Sequence, residues 1–271
     1  MEDPDAATLI DSIYDALSDD DAEAALALAQ NAMGSGEGED PVVRFLGGMA
    51  LARLDRIEDA TTWLRRAVEL DPDDPEFRTE LAGALFQSCR FDDADEEARA
   101  AIEADAAFAD AHEVTGALLE RRGRFDEADR SFARAAELDP ARFNAPRRLS
   151  RDEFEREIVL AGERLPEPFR RHLEEVAVTV EDLPSDEILL QDEPPLDPEL
   201  LGLFVGVPCT ERSTFSAGGE LPPRILLFQR NLERFAGDEE ELRDEIVVTL
   251  HHELGHYLGL DEDELEAIDL G

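Results

Sequence analysis

Three consecutive stretches of this chain align without a gap. Pro41–Asp74, Pro75–Phe108 and Ala109–Arg142 are each 34 residues long. Matching columns read Gly48/Ala82/Gly116, Leu51/Leu85/Leu119, Ala60/Ala94/Ala128, Ala67/Ala101/Ala135 and Pro72/Ala106/Pro140. A fixed period of this length is the mark of a stacked array in which each unit buries its apolar face on its neighbours. The columns predict one helical hairpin per repeat. Small residues let the two helices approach closely, and the proline column is expected to stop the second helix and start the next unit.

The period, the Gly…Ala…Ala…Pro columns and Phe132 in the third copy resemble the tetratricopeptide repeat. Trp63 and Leu64 sit near the usual aromatic position of the first copy, and Ala106 replaces proline in the second. The resemblance implies a groove that takes a protein or peptide ligand. Some members of the family hold a C-terminal carboxylate with lysine and asparagine. The inward positions of the first copy here are Phe45 and Met49, and the chain has no lysine, so an apolar or arginine-bearing ligand fits better. Residues 1–40 read as a degenerate, acidic capping pair of helices put out of register by "GSGEGED".

Residues 143–150 read as a boundary, in which Ser150 and Glu153 form a capping box that opens a helix. From 151 to 271 the pattern changes. Amphipathic "RDEFEREIVLAGERL" and short "EPFRRHLEE" read as helices, and "VAVTVED", "LFVGVPCT" and "RILLFQRNL" as strands. A long helix then runs through "DEEELRDEIVVTLHHELGHYLG", and a short one closes the chain. The expected architecture is an all-α repeat solenoid followed by a small α+β domain.

That long helix carries His252-Glu253-Leu254-Gly255-His256, an HExxH sequence. Residues four apart on a helix share one face, so both imidazoles can address one zinc ion. Glu253 is rotated by about 100° and reaches a water rather than the metal, which suits a general base. Zinc wants a third protein ligand. In the extended pattern HExxHxxGxxH a glycine bends the chain so that a residue ten past the first histidine returns to the ion, and that residue is Glu262 here. Its neighbour Asp261 competes for the role, although Asp261 and Glu264 also read as the capping box of the final helix. His251, Tyr257 and Cys209 are lesser candidates, and His172 and His112 read as surface residues.

Four segments in order, "LPEPFRRHLEEVAVTVED", "LLGLFVGVPCTERS", "LPPRILLFQRNLER" and "EIVVTLHHELGHYLGLDEDEL", resemble the small zincin-like (minimal, MMP-like) metallopeptidases of prokaryotes. The resemblance implies metal ligands at His252 and His256, a catalytic glutamate at Glu253 and an acidic residue at Glu262. Phe204 stands where such proteins tend to have tyrosine, and Gly255 where alanine is common. The expected function is zinc-dependent peptide hydrolysis, with the repeats recruiting a substrate or adaptor. A zinc-binding adaptor without catalysis and a hydrolase of non-peptide amides are the rivals.

Charge bounds the setting. There are 68 acidic against 26 basic residues, a net charge of −42, and every basic residue is arginine. The first 40 residues hold 12 acids and no base. Such self-repulsion suits molar salt, where screening acts within about 3 Å, so a salt-loving source is expected. Nucleic acid and anionic membrane are poor partners for this surface. Two distant cysteines, no basic apolar leader and no long uncharged run predict a cytoplasmic protein with reduced thiols. No feature of the chain specifies an oligomeric state.

Overall fold

The computed structural model describes residues 6–35, 39–167, 169–210, 222–261 and 264–265. Two compact units emerge: residues 1–144 with 192–197, and residues 145–191 with 198–271.

The first unit is a row of helical hairpins. α1 (Ala6–Ser18) and α2 (Ala22–Ser35) precede α3 (Pro41–Arg53) and α4 (Ile57–Leu70), then α5 (Pro75–Gln87) and α6 (Phe91–Ala104), then α7 (Ala109–Arg121) and α8 (Phe125–Leu138). The turns inside the hairpins are one structure repeated four times. Asp20, Asp55, Cys89 and Gly123 all take a left-handed conformation, with φ of 60°, 57°, 56° and 68°. The last three recur at the repeat period, and Asp20 lies one residue further away. The N-terminal pair is therefore a hairpin of the same kind, displaced by one residue of connecting loop.

Helix starts and stops follow local chemistry. Asp40 and Asp74 cap α3 and α5, their Oδ1 atoms accepting from Val42 N–H at 2.8 Å and Glu76 N–H at 2.9 Å. Each is followed by a proline at the first helical position, where no amide hydrogen is needed. α4, α6 and α8 all end at the same column, although the second has Ala106 in place of proline. The column that ends them is Asp71/Asp105/Asp139, whose non-helical backbone closes each helix by donating N–H to Ala67, Ala101 and Ala135 oxygens. Proline reinforces this stop without being required for it.

Packing within each hairpin sets large against small. A Cβ on Gly48 would meet Leu64 at 2.7 Å, and one on Gly116 would meet Phe132 at 2.4 Å. In the second repeat the same columns hold Ala82 and Ala98, both buried, so a methyl is tolerated only where its partner is also small. Phe45 is buried, stacking on Phe77 with ring centroids 4.8 Å apart. It welds repeat one to repeat two and is not open to a ligand, contrary to the expectation for that position.

The second unit begins with α9 (Arg151–Arg164), opened by the Ser150/Glu153 capping box, with both reciprocal bonds present. α10 (Phe169–Leu173), β1 (Ala177–Glu181), α11 (Asp186–Leu189), β2 (Gly202–Val205), β3 (Arg224–Phe228), α12 (Gln229–Phe235) and α13 (Glu239–Leu258) follow. The sheet order is β1-β3-β2, with β1 parallel and β2 antiparallel to β3. β3 is central, with Ile225 to Phe228 all buried, which accounts for its unbroken apolar run. α9 and α13 share a core with β3 built on Phe154, Ile225, Leu227, Ile246, Leu250 and Leu254.

The strand expected over Arg224–Leu232 ends at Phe228. There the chain coils into α12, because Gln229, Asn231 and Glu233 have buried polar tasks that an extended strand would not serve. Gln229 donates to the Leu149 carbonyl at 2.9 Å and to Glu233 at 2.7 Å. Asn231 donates to the Pro198 and Leu200 carbonyls. Glu233 accepts the Leu149 N–H and pairs with Arg148, fixing the stretch that leads into α9.

Two outcomes test this account of the repeats. Gly116→Ala is expected to destabilise the repeats by about 1–3 kcal/mol through overpacking on Phe132, whereas Gly83→Ala in α5, where a Cβ would meet nothing within 4 Å, is expected to stabilise by about 0.5–1 kcal/mol through helix propensity; chemical denaturation of both variants reads the contrast. Burial, with Asp110 and Glu76 nearby, raises the Glu80 carboxyl above its ordinary range. A raised folded value means the ionised form opposes folding. That penalty is absent below the ordinary value of 4.5 and complete above the folded one. Glu80→Gln is therefore expected to raise the melting temperature at neutral pH, with the advantage fading as the pH falls below that range.

Candidate metal centre

α13 is fixed at both ends. Asp238 caps its start, accepting from Glu240 and Glu241 amides at 2.9 and 3.0 Å, and three glutamates in the first turn suit the positive end of the helix dipole. Gly259 closes it with φ of 85°, while Leu260 N–H returns to Gly255 O and Gly259 N–H to His256 O, both at 3.0 Å. A Cβ at Gly259 would lie 2.5 Å from Thr210 Oγ1, so glycine is needed there for space as well as for dihedral angle.

The buried face of α13 runs Leu242, Ile246, Thr249, Leu250, Glu253, Leu254 and Tyr257. Against it lies edge strand β2, brought close by Gly202. A Cβ at that position would meet Thr249 Cγ2 at 2.5 Å and Glu253 Cγ at 3.2 Å. Glu253 is only 7% exposed, and its Oε2 accepts the Phe204 N–H at 2.6 Å. A carboxylate held this way is both desolvated and aimed.

His252 and His256 stand at the edge of the same face, half-buried. Their Nε2 atoms converge to 3.1 Å, with the rings crossing at 84°. Two imidazoles bound to one tetrahedral ion at about 2.0–2.1 Å would place those nitrogens roughly 3.3 Å apart. The pair therefore fits a zinc ion. Among the described residues no group of three histidine, cysteine or acidic side chains is gathered for a metal. Glu262, the expected third ligand, lies outside the described residues.

Asp261 is described. Its Oδ1 accepts from Glu264 N–H at 2.9 Å, while Glu264 Oε2 accepts from Asp261 N–H at 3.1 Å. This reciprocal box occupies Asp261 with starting the next turn. Gly255 makes room for that turn: a Cβ there would sit 2.1 Å from Leu265 Cδ2. Leu260 and Leu265 thus lie against a bare stretch of α13.

The lesser candidates have other occupations. His251 turns away from the pair and meets Phe169 edge-on, ring centroids 4.1 Å apart. Tyr257 is 1% exposed and donates its hydroxyl to Glu175 Oε2 at 2.8 Å. His172, expected on the surface, has Nδ1 3.4 Å from that same carboxylate. The Cys209 amide donates to the Tyr257 carbonyl at 2.7 Å, tying the chain beyond β2 to the end of α13. Glu175 and the Phe204 amide escaped the sequence reading. The first is one acid among 68, and the second is backbone, which sequence spacing does not reveal.

The comparisons with known proteins divide along the chain. Residues 173–271 match the family model of the zincin-like metallopeptidases, and residues 51–118 match that of the tetratricopeptide repeat. None of the curated proteins matches the chain. Among solved structures, the repeat protein YrrB, described as having an unusual peptide-binding site, is 24% identical over 51% of this chain and 71% of its own, with a TM-score of 0.44. A thermophilic repeat protein of Thermus thermophilus is 17% identical over 51% of this chain and 76% of its own, with a TM-score of 0.46. MamA is 18% identical over 51% and 77%, with a TM-score of 0.43. This chain thus carries tetratricopeptide repeats followed by a zincin-like metallopeptidase domain.

Proposed function

We propose that the C-terminal unit is a zinc-dependent peptidase and that the repeats recruit its protein substrate or an adaptor. The observation that carries this reading is the convergence of His252 and His256 beside a buried, aimed Glu253. His252 and His256 would hold zinc through Nε2, with Glu262 as the third ligand. Zinc so bound supplies Lewis acidity to a peptide carbonyl and acidifies a water molecule. Glu253 takes the proton of the attacking water on a carboxylate oxygen and passes it to the departing amine nitrogen. The Phe204 amide holds that carboxylate on the sheet side of α13, so it need not reorient between the two transfers. A purely structural metal site has no use for such a base.

The repeat register supports a ligand surface. Tyr14, Met49, Gly83 and Ala117 share one column of the first helices. Tyr14 is 44% exposed, and a Cβ on Gly83 would meet nothing within 4 Å. Glu76 and Asp74, after burial, raise the Tyr14 phenol, which places negative potential along this column. A peptide carrying apolar and arginine side chains is the ligand class that matches. The net charge of −42 supports a working environment of molar salt, and two free cysteines agree with a reducing cytoplasm. Among the described residues no helix is long and apolar enough to cross a membrane.

The test is peptide-library hydrolysis in molar salt alongside zinc binding. Glu253→Gln is expected to retain zinc while hydrolysis falls by about 10²–10⁴; undiminished zinc with no Glu253-dependent cleavage would leave only an adaptor. His252→Ala and His256→Ala are each expected to weaken zinc by more than the roughly 10–100-fold cost of losing an outer partner. Glu262→Ala should weaken zinc, whereas Asp261→Ala should leave zinc affinity intact and cost about 1 kcal/mol of local helix stability. The reverse pattern assigns the third ligand to Asp261.

A further inference from the structure

One apolar side chain of α13 faces outward. Leu242, Ile246, Leu250 and Leu254 are all buried, whereas Val248 is 52% exposed. Valine at such a position has neither burial nor helix propensity in its favour, since its branched Cβ loses rotamer freedom against the preceding turn. Arginine and glutamate are better helix formers, and this chain uses both freely. Val248 stands four residues before His252, one turn along the same face, where Cβ atoms are roughly 5–6 Å apart. It also stands four residues after Asp244, whose carboxylate pairs with Arg164 of α9 at 2.5 Å.

A second apolar residue is exposed on the helix packed beside it. Leu160 of α9 is 43% exposed. It lies three residues after Glu157 and four before Arg164, so the three share one flank of α9. Both charged neighbours are tied to α13, Glu157 to Arg243 at 2.6 Å and Arg164 to Asp244. Leu160 is therefore held on the α13 side of its helix, yet it stays open to solvent. Apolar residues scattered singly over a surface need no explanation. Leu160 and Val248 are not scattered: they sit on flanks joined by an ion pair, and Val248 leads on to His252.

We propose that Val248 and Leu160 form the apolar floor of a substrate subsite, which takes an aliphatic side chain from the residue beside the scissile bond. The inference rests on the reading of His252 and His256 as the zinc pair, and that pair says what covers the two side chains. Successive residues of an extended peptide are about 3.3–3.6 Å apart. The side chain next to a carbonyl held at the pair therefore falls within about one helical turn of it, and Val248 occupies the turn before His252. An aliphatic group laid there removes apolar surface from water on both partners. Glycine would leave the floor wet, and serine would trade the hydration of its hydroxyl for an apolar surface.

The experiment titrates the zinc-loaded full chain in molar salt with the hydroxamates of glycine, leucine and serine, and reads the heat of binding rather than turnover. The three share one metal-binding head and one amine, so their differences report the side chain alone. Leucine hydroxamate is expected to bind about tenfold more tightly than glycine hydroxamate, the lower end of what an aliphatic group gains on an apolar surface, and serine hydroxamate no more tightly than glycine hydroxamate. Val248→Ser and Leu160→Ser are each expected to cut the leucine-to-glycine ratio several-fold. Both positions are exposed, so helix content by circular dichroism and the denaturation midpoint should stay close to those of the parent. Val159→Ser, at a position 63% exposed on α9 but outside the Glu157–Arg164 flank, should leave the ratio unchanged. Equal affinities for leucine and glycine hydroxamates, a leucine preference retained in Val248→Ser, or an equal loss in Val159→Ser would overturn the subsite and leave the zinc reading standing. Absence of zinc-dependent binding by all three hydroxamates would overturn the zinc reading and the subsite together.

Discussion

Everything at the candidate centre hangs on how closely α13 lies against the edge strand β2. The missing side chain of Gly202 sets that distance, since a single methyl there would strike Thr249 and crowd Glu253. Close approach lets a backbone amide of β2 reach the Glu253 carboxylate, and the same orientation of the helix sends His252 and His256 toward one point. Strand and helix thus divide the work. The strand immobilises the base, and the helix period of about 3.6 residues aligns the two imidazoles. The glycines behave alike at the other end of the helix, where Gly255 and Gly259 leave room for Leu265 and Thr210.

The repeats show the same logic of complementary volume. Gly48 faces Leu64, and Gly116 faces Phe132. The second copy keeps the fold with alanine in both columns. Hairpin geometry is thereby preserved while sequence drifts, and the shared left-handed turn residue recurs even in the N-terminal pair. Self-repulsion of an acidic surface is met by many arginine–carboxylate pairs between residues three apart. Such exposed pairs contribute little to stability one by one, and their larger effect is to spread compensating charge along the second helices.

Periodic features were legible from the residues alone. The repeat period gave the hairpins, and the i, i+4 histidines gave a shared helix face. Ser150 with Glu153, and Asp261 with Glu264, gave caps whose bonds are present. What escaped depends on long-range or backbone partners. An apolar run followed by Gln229 reads as a continuing strand until the buried carbonyls of Leu149, Pro198 and Leu200 are known to need donors. Phe45 reads as an inward-facing residue until Phe77 of the next repeat is placed on it. The proline column reads as the helix stop, although the aspartate column alone suffices in the second repeat.

The claim most in need of a direct measurement is the ligand set. X-ray absorption at the zinc edge of the metal-loaded protein reads it without reference to substrate. The account predicts scattering from two imidazoles together with oxygen ligands, at about 2.0–2.1 Å, and no sulfur. A sulfur shell at about 2.3 Å, or a spectrum unchanged when His252 and His256 are replaced, would contradict it.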